Sequence, residues 1–174
     1  MAKSKGNSNG EKQPKEETFY STSEEVEKIA KALIPEYHPE LAEANIAYLF
    51  VSKTIKSAGK EIGGKASKVS GPNQFLAGGV DFYLLISFPT WNSPDMSNNR
   101  KVALVDHLLE RCTGEEDEDN GKMKWKTRSP DVMEFSSILE RRGAWTPELS
   151  DMVDVASQLS LDARAQEVLD SSES

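Results

Sequence analysis

A chain of 174 residues with 37% hydrophobic and 29% charged residues and a net charge of −8 is long enough for one domain with a core. It is also polar enough that its ends are expected outside that core. The charge is uneven: positions 148–174 carry seven acids and one base, a net of −6, so the other 147 residues carry only −2. That balance argues against nucleic acid as the partner. The single cysteine, Cys112, excludes a disulfide framework and a cysteine-based zinc knuckle. No apolar run approaches the roughly 20 residues of a membrane span, so no membrane partner is expected.

In chain order, positions 1–22 open with Lys, Glu, Ser, Gly and Asn and almost nothing apolar, and are expected to be a disordered tail. No apolar segment follows the early lysines, as a secretory leader would require. Ser23, Glu24 and Glu25 ahead of Val26, Ile29, Ala30 and Leu33 read as an N-cap, an acidic first turn and an apolar helical stripe. Pro35 and Pro39 are expected to end that helix, leaving His38 as a turn or packing residue. Asn45–Ser52 is a run of strand formers. A lysine-bearing loop follows, then a short polar segment, Gly64–Ser70, that fits a second strand. Val80–Phe88 is the clearest strand, apolar enough to be central and covered on both faces.

Helical spacing predicts a helix from about Ser97 to Cys112, with Val102, Val105, Leu109 and Cys112 on one face and Gly114 as its stop. The acidic run Glu115–Gly121 reads as a solvated loop, its spacing unlike an EF-hand. Lys122–Arg128 alternates as a short edge strand. Ser129 and Pro130 open another helix carrying Val132, Phe135, Ile138 and Leu139, which closes at Gly143. The order of elements predicts an α+β fold: a partly antiparallel sheet of three to four strands packed with three to four helices. The domain is expected over 23–152, followed by an acidic, partly helical or disordered tail over 153–174.

Four segments carry a resemblance to a known family: EEVEKIAKALIPEYHPELAEANIAYLF, GKASKVSGPNQFLAGGVDFYLLIS, KVALVDHLLERC and DVMEFSSILERRGAWTPEL. Together they resemble the zincin-like phage metallopeptidases over roughly Ser23 to Met152. The resemblance implies a zinc-activated water attacking a peptide carbonyl, with two histidines as ligands and a glutamate after the first as general base. Carried over by position, His107 matches the first ligand, Leu108 the base and Arg111 the second ligand. Leucine cannot take a proton, and a guanidinium has no lone pair for a metal. A third ligand is implied just before the last helix, where this chain has Ser129, Pro130 and Asp131.

The motif is therefore a degenerate His-Glu-x-x-His, and the leading expectation is a pseudoenzyme of phage origin. It would lack catalysis, need no cofactor and act on a protein partner in the cytoplasm of a bacterial host. On that reading His107 packs between helix and sheet with Asp106 or Asp131 beside it, and Arg111 pairs with an acid where the metal charge would be. An alternative reading keeps an atypical zinc site at His107 with Glu110 as base, in the inverted zincin order. A third assigns weak nucleic-acid binding to Lys122–Arg128, with Trp125 among its bases, and to the lysines between Lys53 and Lys68.

Overall fold

The computed structural model describes residues 17–119, 121–130, 136–144 and 146–172. They fall into two units, divided between Arg128 and Ser129.

The first unit is built on a four-stranded sheet. Its strands are β1 (Tyr20–Thr22), β2 (Ile46–Val51), β5 (Gly64–Lys68) and β6 (Phe82–Ser87), in the order β1-β2-β6-β5. β2 and β6 run parallel, and both outer pairings are antiparallel. Val80–Phe88 thus supplies the inner strand its composition predicts. Phe82, Leu84 and Ile86 alternate onto the face that joins the main core, and Leu85 on the opposite face is also buried. β1 corrects the expected extent of the N-terminal tail: Tyr20–Thr22 pairs with β2, and the Phe19 N–H donates to Ser52 Oγ at 3.0 Å. The rest of that tail lies outside the described residues.

Helix α1 (Glu24–Tyr37) starts as its sequence dictates. Ser23 is extended, and its hydroxyl accepts from the Val26 N–H at 3.2 Å. Its apolar stripe buries Val26, Ala30 and Leu33. Pro35 does not end it. The helix runs on to Tyr37, and the stop is set by Pro39, which disfavours helical geometry at His38 (φ −133°, ψ 49°). A 3₁₀ turn, Pro39–Leu41, leads into β2.

Four further elements of this unit lie outside the expected order. The lysine-bearing loop is a hairpin of β3 (Ile55–Ser57) and β4 (Lys60–Ile62), closed by Ala58 and Gly59 at φ 48° and 78°. Those paired positive angles match the two-residue turn that suits strand twist. A short α2 (Pro72–Leu76) precedes β6, and a single turn, α3 (Phe88–Trp91), follows it.

Helix α4 (Asn98–Glu110) is capped by the Ser97 hydroxyl and buries Val105, Leu108 and Leu109. Three residues of the predicted stripe, Val105, Leu109 and Cys112, are buried as expected; Val102 is 39% exposed instead, and Leu108 joins the buried face at 1%. Two glycines explain this. A Cβ on Gly63 would lie 2.9 Å from Leu104 Cδ2, and one on Gly64 2.9 Å from Leu108 Cδ1. Their bareness lets the Leu104–Leu108 ridge settle against the start of β5.

Cys112 does not close α4. It begins β7 (Cys112–Glu116), which pairs antiparallel with β8 (Met123–Thr127) in a separate two-stranded sheet. Gly114 is therefore a strand residue rather than a helix stop. A Cβ there would meet the Trp125 ring at 2.5 Å, so glycine makes the space in which Trp125 packs. Trp125 is 9% exposed and stacks edge-on against Phe82, with ring centroids 5.8 Å apart.

The second unit contains α5 (Ser136–Arg142) and α6 (Pro147–Ser172). The helix expected after Pro130 is described only from Ser136. α6 runs unbroken through the expected boundary at 152, so the acidic tail is helical as far as Ser172. No helix among the described residues is long and apolar enough to cross a membrane.

Candidate functional site

The helical geometry of α4 decides where each motif position lies. Leu104 and Leu108 are spaced four apart and so fall on one stripe of α4, turned toward β5 and the core, where Cys112 at the start of β7 is also buried. Leu108, which the resemblance sets against the family's base, is in the middle of an apolar contact. His107, one residue earlier, is exposed, and Arg111, one turn on, is half-buried. This corrects one expectation: His107 is not packed between helix and sheet. Arg111 has no ion-pair partner among the described residues, and Asp131, one of the acids expected to pair with it, lies outside them.

The polar cluster of the region lies on another shoulder of α4, around the second histidine of the chain. His38 is 2% exposed. Its Nε2 is 2.7 Å from Asp106 Oδ1, and its Nδ1 is 3.4 Å from Glu110 Oε2. Glu110 Oε1 pairs in turn with the Arg128 guanidinium. Arg128 also reaches back from the end of β8 with its Nε, which donates to the Glu110 carbonyl at 2.7 Å, and with its N–H, which donates to the Arg111 carbonyl. The helix C-terminus carries an orphan carbonyl and partial negative charge, and this arginine satisfies both. The guanidinium–carboxylate pair anticipated here is present, but its arginine is Arg128 and its acid is Glu110.

Sequence reading passed over His38 and Arg128 as site-region residues. Asp106 lies 68 positions from His38, so no local spacing joins them. The one available signal was His38-Pro39: a proline that forces the preceding residue out of the helix also swings its side chain away from the helical stripe.

What this cluster can do chemically is limited. The His38 ring is buried, with a carboxylate oxygen near each nitrogen, so neither nitrogen is presented to a substrate. The inverted-order reading needs Glu110 as a base, and that carboxylate faces Arg128 and His38 instead. Cys112 is buried and its Sγ lies 3.5 Å from the Leu108 carbonyl. Burial pushes its thiol up to about 12, which leaves the thiolate scarce at neutral pH.

A second polar tie joins α1, α3 and α4 farther along. The Trp91 Nε1–H donates to Glu25 Oε2 at 2.9 Å, Lys101 Nζ reaches Glu25 Oε1 at 3.0 Å, and that ammonium sits 4.8 Å from the Trp91 ring centroid. The indole N–H first, and the Lys101 ammonium second, hold the Glu25 carboxyl below its usual range.

The residues present do not fit the zinc ion that a metallopeptidase site needs. His107 offers one imidazole, Leu108 and Arg111 offer no lone pair, and Asp131 lies outside the described residues. Among the described residues, no three His, Cys, Asp or Glu side chains converge in a way that could hold a metal. Three or four protein donors are the norm for zinc.

Residues 18–157 match the family described as Putative phage metallopeptidase. No curated protein and no solved structure gives a significant match. With most of its length matched, and with an α+β domain in which a helix at the motif position packs on a mixed sheet, the chain belongs to the phage metallopeptidase family.

Proposed function

We propose that this chain is a non-catalytic member of its family, a pseudoenzyme that keeps the scaffold and acts by binding a protein partner in the cytoplasm of a bacterial host. The observation that carries this reading is Leu108. The position matching the general base is 1% exposed and wedged against Gly64, so it is part of the core rather than of a cleft. Arg111, at the position of the second ligand, brings a permanent positive charge that repels a dication.

Incubation of the purified chain with zinc and a mixed peptide library, with and without a chelator, tests the proposal. The expected outcome is no chelator-sensitive cleavage. Cleavage that disappears on chelation and in His107→Ala would overturn it in favour of the atypical metalloenzyme. That alternative requires Glu110 to give up Arg128 and His38.

A further inference from the structure

The four-stranded sheet ends on two unlike outer strands. β5 carries Lys65 and Lys68, the residue type that discourages pairing at a sheet edge. β1 carries no lysine and no proline, and all three of its residues are exposed. Its inner side is bonded to the β2 segment from Phe19 to Ser23: the Ser52 N–H donates to the Phe19 carbonyl and the Ser23 N–H to the Tyr48 carbonyl, both at 3.0 Å. Alternate residues of an antiparallel pair bond inward, so Ser21 also faces β2, and the N–H and C=O groups of Tyr20 and Thr22 point out of the sheet edge. Those outward groups have no hydrogen-bond partner among the described residues.

The same edge borders an apolar notch. Phe19, Phe50 and Phe88 line about 180 Å³ beside Ser21. Phe50 meets Phe88 edge-on, with ring centroids 5.4 Å apart, yet Phe88 is half exposed and Phe19 63% exposed. Ser21 lies opposite Phe50 in the register and is too short to fill the space. A strand laid along β1 sets the side chain opposite Ser21 on that same face, over the notch.

Acids bracket this edge. Glu17 precedes β1, and Glu24 opens α1 just after it. Both are exposed, and neither has an ion-pair partner among the described residues; Lys53, just past β2, pairs with neither. Thr18–Ser23 between them carries no charge. A second copy is therefore a poor occupant: antiparallel self-pairing about Ser21 brings Glu17 of one copy to the end where Glu24 and Glu25 of the other begin a helix.

We propose that β1 is a docking edge for an extended segment of a partner protein, apolar at alternate positions and basic at both ends. The outward backbone groups of Tyr20 and Thr22 hold the added strand, the notch takes one apolar side chain, and Glu17 and Glu24 select the basic ends. The inference rests on the binding role proposed above for its partner. The edge itself does not involve α4, so it is there whether or not the motif is catalytic.

The test is fluorescence anisotropy with the full chain and a labelled peptide of alternating Val and Thr with lysines at both ends. Saturable binding is expected. The same peptide with glutamate ends should bind about tenfold more weakly, and the gap should shrink as salt rises. N-methylation of one alternate set of peptide nitrogens should abolish binding, and of the other set leave it, since only one set faces β1. Tyr20→Pro removes an outward N–H and spares the bonds to β2, so it should weaken binding about fivefold with little change in thermal unfolding. Glu17→Gln/Glu24→Gln should erase the preference for basic ends. No saturable binding, equal effects of the two methylation sets, or binding indifferent to Tyr20→Pro would overturn the proposal. So would a dimer in gel filtration that Tyr20→Pro dissolves, which would make a second copy the occupant. Peptide binding gained only on removal of residues 1–16 would overturn it too, in favour of that segment. Each of these failures leaves the loss of catalysis standing, because zinc content and cleavage are measured separately.

Discussion

The two histidines of this chain sit within one helix diameter of the same element, α4, and their surroundings are opposite. His107 is on α4, at the position that the family resemblance proposes for a metal ligand, and it is exposed. His38 comes from the turn after α1, far from any motif, and it is buried against Asp106 and Glu110 with Arg128 behind them. Polar interactions that hold the fold have collected around the histidine without a motif. A motif position therefore says where a family's chemistry belongs, and burial and partners say whether a given chain has it.

The largest effect that would break this contrast is expected from Leu108→Glu, which places there the glutamate that the resemblance implies. In a cleft it would cost little. In the apolar contact with Gly64 it buries an unpaired carboxylate, and a loss of about 4 kcal/mol or more is expected in urea unfolding. His38→Ala comes next. It empties a buried imidazole site and removes the contact with Asp106, for about 2–3 kcal/mol, read from the shift in the urea midpoint.

Glu25→Gln sharpens the comparison from a third place, the tie to Trp91 and Lys101. Glu25 is lowered in the fold from 4.5, so its contribution is fully present above that value and is lost as pH falls through the lower folded value. Because the Glu25 side chain is 55% exposed, the substitution should cost no more than about 1 kcal/mol at pH 7. The gap to the parent chain should narrow in urea melts made progressively below pH 4.5. The smallest effect is expected from His107→Ala, within about 0.5 kcal/mol, since an exposed side chain is removed. If His107→Ala rivals His38→Ala, the contrast fails.

The parts of this picture legible in sequence are those set by local periodicity. The cap at Ser23, the stripe on α1, the apolar run of β6 and the alternation in β8 all follow from neighbours a few residues apart. The face of α4 that carries Val105 and Leu109 was legible, but the inward place of Leu108 was not, because the missing side chains of Gly63 and Gly64 on another segment make room for it. Gly114 misled for a related reason: its role depends on the Trp125 ring across the strand pair, while its position after a helix suggests a cap. β1 and the β3–β4 hairpin have strands of three residues, too short for alternation to stand out. At the site, the residue types at Leu108 and Arg111 could be read directly, whereas the pairing of His38 with Asp106 is a product of the fold.

The most direct measurement of the central claim is the metal content of the full chain, produced with zinc supplied and measured by elemental analysis after gel filtration, alongside His107→Ala. The account predicts far less than one zinc per chain and no difference between the two proteins, because one exposed imidazole beside a leucine and an arginine is not a donor set. About one tightly held zinc per chain, lost in His107→Ala, would contradict it.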